Sequence, residues 1–260
     1  MAADQAVIGG ESGTAARPVV AVSFKMYFDR ARTMGYVDGL LSRLEEQPDL
    51  ASDVRLAVLP DHLTLSAVAD RIASTGILLG AQDLAPALRG AYTGEVSGAD
   101  LHELGVRIVE IGHAERRTLF GEDDAMIGAK MSAAVEAGLT PLLCIGEPDE
   151  VTPREAARQC VEQVRRAIGD AQPSELWVAY EPHWAIGAAQ AADPGYVSDV
   201  CDEAAAQLED VAGLSLLYGG SAGPGLIGQL SRSVDGLFLG RFAHDPAAFM
   251  SVAEEARERG

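Results

Sequence analysis

The sequence predicts a single-domain α/β protein built as a closed (β/α)8 barrel, and three observations carry that reading. Eight short apolar runs recur along the 260 residues. Amphipathic stretches separate most of them. No linker or composition break divides the chain, and α/β barrels commonly run to this length as one domain. A doubly wound open sheet shares the same alternation and is the alternative.

In order, the runs are VVAVSF (19–24), VRLAVLP (54–60), ILLGAQ (77–82), VRIVEIG (106–112), TPLLCIG (140–146), LWVAYEP (176–182), LSLLYGG (214–220) and VDGLFLG (234–240). Each is apolar at nearly every position, as parallel strands covered on both faces must be. After the first run, ARTMGYVDGLLSRLEEQ (31–47) repeats its apolar residues at helical spacing. PREAARQCVEQVRRAIG (153–169) does the same after the fifth. Polar residues gather just past the C-terminal ends of the runs: Lys25, Gln82, His113, Glu147, Glu181, Ser221 and Arg241. In a barrel that end carries the chemistry. Residues 1–17 have neither a basic start nor an apolar stretch, so they read as a flexible N-terminal extension rather than a secretion signal. The barrel domain is then 18–260.

Composition narrows the function. Apolar residues make up 48% of the chain, enough for a sizeable core. A formal charge of −19 argues against nucleic acid and anionic membranes as partners. No run approaches the length of a membrane span. Cys144, Cys160 and Cys201 are odd in number and widely spaced, which suits reduced thiols and a cytoplasmic protein. His62, His102, His113, His183 and His244 show no paired spacing, so no metal site is expected.

Three residues have the chemistry of a proton-transfer site. Glu181 precedes PHWAIGAAQ (182–190), where Trp184 and Ile186 would roof and desolvate a carboxylate as the segment closes. Pro182 and the 187–189 stretch read as hinges. His113, in IGHAERR (111–117), sits where a strand passes into a helix; that position disfavours the imidazolium, so a neutral ring is expected to polarise a carbonyl. Arg116 and Arg117 beside it read as structural ion pairs. Lys25, in SFKMYF (23–28), would attract phosphate and stabilise a developing oxyanion. The glycine-rich strand-to-helix turn YGGSAGPG (218–225) and the segment LGRFAH (239–244) are placed to cradle a phosphate after strands seven and eight. Neither carries a nucleotide P-loop or a spaced GxGxxG, so ATP and NAD are not indicated.

At these residues the chain resembles the triosephosphate isomerase family, from residue 18 almost to its end. Ser23-Phe24-Lys25-Met26, GAQD (80–83), GAYTGEVS (90–97), GHAERR (112–117), CIGE (144–147), YEPHWAIG (180–187) and YGGS (218–221) match the family's signatures in order. The resemblance implies Glu181 as the base, with His113 and Lys25 stabilising an enediolate and Glu115 in support. It implies that Ser23, Gly187, Ser221, Gly240 and Arg241 bind a small phosphorylated sugar. No cofactor is expected. Thr93, in the interface loop, would brace a neighbouring subunit's site, implying a homodimer. Several positions depart from the family: Ser23 stands for an asparagine, Arg241 for a glycine, Ala114 for a serine and Asp83 for an asparagine. The first two reshape the pocket walls. The leading expectation is interconversion of dihydroxyacetone phosphate and glyceraldehyde 3-phosphate. A four-carbon ketose phosphate such as erythrulose phosphate is the alternative, and a non-catalytic sugar-phosphate binder the third reading.

Overall fold

Each apolar run becomes a strand: β1 (Val19–Ser23), β2 (Arg55–Leu59), β3 (Leu78–Ala81), β4 (Ile108–Ile111), β5 (Thr140–Ile145), β6 (Leu176–Tyr180), β7 (Leu214–Tyr218) and β8 (Gly236–Leu239). The structure is a computed structural model and describes residues 17–186 and 191–260. Every strand lies parallel to its neighbours, and β8 pairs back onto β1 through Val19↔Gly236 to Val22↔Leu239. The sheet therefore closes, which excludes the open-sheet alternative. Closure depends on Gly236, where an added Cβ would lie 1.9 Å from the Val19 carbonyl oxygen. A side chain there would hold the two strands apart.

Outside the barrel lie α1 (Arg30–Glu46), α2 (Leu50–Asp53), α3 (Leu65–Ile72), α4 (Gly98–Glu103), α5 (Ala114–Phe120), α6 (Asp124–Glu136), α7 (Pro153–Ile168), α8 (Pro194–Gln207) and α9 (Pro246–Arg259). Helices α1 and α7 fall within a residue or two of the stretches expected from periodicity. Both start at a side-chain cap, Asp29 accepting from the Arg32 amide and Thr152 from the Glu155 amide. One expectation fails. The turn after β7 leads, among the described residues, to a 3₁₀ turn at Ile227–Gln229 and not to an α-helix. Gly223, Pro224 and Gly225 occupy that stretch, and glycine and proline oppose helical propagation.

Strand residues alternate between two cores. Ala21, Ile108, Leu142, Cys144, Trp177 and Phe238 fill the barrel interior, while Val20, Val22, Val109 and Leu143 face the helices. At the N-terminal end of the barrel, Arg55 donates to Glu175 at 2.6 Å and to Ser215 Oγ at 2.7 Å, closing that mouth with a polar plug. Residues 1–16 of the expected extension lie outside the described residues. Arg17 is already fastened to the barrel, donating to the Ser52 carbonyl at 3.0 Å. Among the described residues, no helix is long and apolar enough to cross a membrane.

Candidate active site

A cavity of about 470 Å³ opens at the C-terminal mouth of the barrel, and Ser23, Lys25, His113, Glu115 and Glu181 all line it. Lys25 follows β1 in a left-handed backbone conformation, φ 48°, which is uncommon for a residue with a side chain. Gln82, just past β3, donates from Nε2 to the carbonyls of Lys25 at 3.1 Å and Leu59 at 2.9 Å, bracing that turn. The ammonium pairs with Glu115 Oε1 at 2.9 Å. Burial alone would lower the Lys25 pKa, but Glu115, Glu181 and Glu110 together raise it. The side chain is a permanent cation at the cavity edge.

His113 is the N-cap of α5. Its Nδ1 accepts the Glu115 amide at 3.1 Å, which assigns the proton of the neutral ring to Nε2. Burial, with the Lys25 charge beside it, pushes its pKa down to about 4, so the ring is neutral near pH 7. Nε2 points to Glu181 Oε2 at 3.5 Å. Glu181, just past β6, is 4% exposed. Burial, with the Glu110 charge adding to it, lifts its pKa to about 8, while Lys25 pulls the other way. Gly219 makes room for it: a Cβ there would sit 2.7 Å from Glu181 Cγ and Oε1. The site therefore holds a strengthened base, a neutral proton donor and a cation around one space.

Ser221, Gly240 and Arg241 line the same cavity from the turns after β7 and β8, with Gly220 and Gly223 beside them. Gly187 lies outside the described residues, as does the whole hinge expected at 187–189. The roof differs from expectation. Ile186 borders the cavity, but Trp184 does not. Its indole donates to Glu147 Oε1 at 2.7 Å and meets Tyr196 edge-on, because the buried Glu147 carboxylate is the acceptor within reach. Tyr180 and Tyr196 donate to the same oxygen. Glu147 thus anchors the base of the segment that follows Glu181. Arg116 and Arg117 form the expected ion pairs, with Asp83 and Glu122 and with Asp124 respectively. Thr93 is exposed in the stretch between β3 and α4.

Sequence reasoning missed Glu110. The signal was a lone acid in the apolar run VRIVEIG, at an inward-facing position two residues beyond Ile108.

The triosephosphate isomerase family model matches residues 18–256. The chain belongs to the triosephosphate isomerase family. It is 47% identical over 246 residues to an L-erythrulose-1-phosphate isomerase of Pectobacterium atrosepticum, covering 91% of this chain and 95% of that one. A triosephosphate isomerase of Rubrobacter xylanophilus is 36% identical over 255 residues, covering 93% and 98%. The crystal structure of the Bartonella henselae triosephosphate isomerase superposes with a TM-score of 0.78 at 28% identity, covering 94% of this chain and all of that one. As a member of the triosephosphate isomerase family, the chain is an isomerase of small phosphorylated sugars.

Proposed function

We propose that this isomerase acts on a four-carbon ketose phosphate, interconverting L-erythrulose 1-phosphate and D-erythrulose 4-phosphate. The observation that carries this reading is the relative it matches at 47%, an L-erythrulose-1-phosphate isomerase, against 36% for the Rubrobacter triosephosphate isomerase. The sequence alone ranks the triose phosphate first. Two departures at the cavity wall, Ser23 and Arg241, favour the revised order. The four-carbon substrate is the triose phosphate with one more hydroxymethyl on the carbon away from the phosphate, and a short serine leaves room where the family has asparagine.

In this mechanism Glu181 removes the proton on C3. The electron pair forms the C2=C3 bond, and negative charge develops on the C2 oxygen. His113 Nε2–H and Lys25 Nζ stabilise that enediolate. His113 passes a proton between the two neighbouring oxygens, and Glu181 returns its proton to C2. Ser221, Gly240, Arg241 and Gly187 hold the phosphate, while Glu115 positions Lys25. The segment 182–190 closes over the intermediate and excludes water. A binding module has no need of a buried base facing a neutral histidine, which argues against the non-catalytic reading.

A homodimer fits the surface. Met26, Leu63, Tyr92, Leu119 and Phe120 are exposed, and they follow β1, β2, β3 and β4 in turn, so they share one side of the mouth with Thr93. The three buried, unpaired cysteines fit a reducing compartment such as the cytoplasm.

Purified protein tested on both substrates decides the reading. Four-carbon turnover is expected to exceed triose turnover in kcat/KM by ~100-fold or more, at the upper end of what one methylene supplies. Equal or reversed values return the triose phosphate to first place. Glu181→Gln is expected to lower kcat by at least ~10²-fold; unchanged turnover would remove Glu181 from the base's role.

A further inference from the structure

Glu110 is a buried acid that the mechanism above does not use. It lies on β4, three residues before His113, and is 3% exposed. The alternation of β4 turns it inward on the side of Ile108, behind Ser23, which lines the cavity. Such a carboxyl is costly to bury without a partner. Its partners here are two neutral groups that reach it across the barrel interior, one from the end of β1 and one from β5. Ser23 Oγ donates to Oε2 at 3.1 Å, and Cys144 Sγ lies 4.0 Å from Oε1. No cation lies within ion-pair distance among the described residues. Burial lifts the carboxyl to about 8, with Lys25 and the Ser23 hydroxyl opposing the rise.

Ser23 has two neighbourhoods. One side of its hydroxyl meets Glu110, and the other lines the cavity with Lys25 and His113. A serine hydroxyl free to rotate is a poor recognition element, because binding must fix its rotor. A carboxyl behind it removes that freedom. When Glu110 is ionised, the serine proton is committed to it and the lone pairs of Oγ face the cavity. When Glu110 is protonated, it donates to Oγ and the serine proton turns to the cavity. A substrate hydroxyl both donates and accepts, so it matches the pair in either state.

We propose that Glu110 is a positioning residue for substrate specificity: it orients the Ser23 hydroxyl to bind the additional C4 hydroxymethyl by which a four-carbon ketose phosphate exceeds a triose phosphate. The phosphate end of the cavity is set by the turns after β7 and β8. The floor formed by Ser23, with Glu110 and Cys144 behind it, is left for the other end of the substrate. This assignment rests on the four-carbon reading above and names the residues that enforce it.

The test is the ratio of kcat/KM for L-erythrulose 1-phosphate to that for dihydroxyacetone phosphate. Effects on Glu181 shared by both substrates cancel in that ratio. Glu110→Leu, which removes every hydrogen-bonding atom behind Ser23, is expected to lower the ratio at least ~10-fold. Ser23→Ala should lower it by a similar factor, and the double variant no further than either single change. Glu110→Gln retains both a donor and an acceptor, so its ratio should stay within about threefold of the unaltered enzyme. Glu110→Asp keeps the polar site but withdraws the carboxyl by one carbon, and it should lose selectivity even if the leucine variant does not fold. An unchanged ratio in Ser23→Ala, Glu110→Asp or Glu110→Leu overturns the proposal. An unaltered enzyme with no four-carbon preference would instead overturn the substrate reading itself, a separate result visible before any variant is made.

Discussion

Glu181 and His113 sit 3.5 Å apart, and burial moves them in opposite directions, the acid up to about 8 and the histidine down to about 4. Both are therefore held neutral over much of the range near pH 7, and the base gains strength from the same burial. The acidic limb of kcat/KM should lie above the ordinary carboxylate value of about 4.3 and toward 8, with activity falling as pH drops through it. The same shift has a stability sign. The folded state holds the Glu181 proton more tightly than the unfolded chain, so stability is fully present below 4.5 and is lost as pH rises toward 8. Glu181→Gln should consequently gain Tm over the unaltered protein as pH goes from 5 to 9, by several degrees (on the order of 2 kcal/mol), while losing turnover. A Tm difference that stays flat with pH would show that the carboxyl is not desolvated. That Glu181, His113 and Lys25 share one cavity was legible because each follows a strand end and stands in a recognisable motif. Glu110 was not: a strand's pattern reveals which face a residue takes, but not that a serine on β1, three strands away, would become its hydrogen-bond partner.

Among the elements, α6 supplies a cation that composition could not locate. Lys130 is 2% exposed and meets Asp83 at 2.5 Å and Glu122 at 2.6 Å, and Arg116 bridges the same two acids. Two cations thus balance two carboxylates at the start of the segment that follows β3. This network accounts for Asp83 where the family has asparagine, since the extra charge has two partners. Removing one cation leaves a buried acid uncompensated. Lys130→Met should therefore cost about 3–5 kcal/mol, read as a drop of roughly 10 °C in Tm, with kcat little changed in the protein that remains folded. A loss below about 1 kcal/mol would show that water reaches the site. At this scale, the amphipathic periods of α1 and α7 gave their bounds closely. The turn after β7 was misjudged because strand–helix alternation suggested a helix that its glycines and proline do not support.

Across the whole molecule, closure of β8 on β1 is what brings the two ends of the chain's chemistry to one mouth. With a formal charge of −19 on the chain, the cations lining the cavity, Lys25 and Arg241, are the groups that the proposed mechanism relies on to attract the substrate phosphate. The exposed apolar side chains after β1 to β4 predict a second copy of the chain against that side. Sedimentation is expected to give twice the 27.2 kDa chain mass. Thr93→Arg should yield single chains with reduced kcat/KM, and a variant that remains paired and fully active would place the contact elsewhere.

The barrel divides its tools unevenly between its halves. Lys25 and His113 arrive with the first four strands, whereas Glu181 and the turns proposed to hold the phosphate arrive with the last four. Neither portion carries a working set, so a chain severed in the exposed stretch before α7 has chemistry only where its two pieces have found each other. Turnover in such a nicked protein counts reunited barrels one by one, making the enzyme a gauge of its own reassembly.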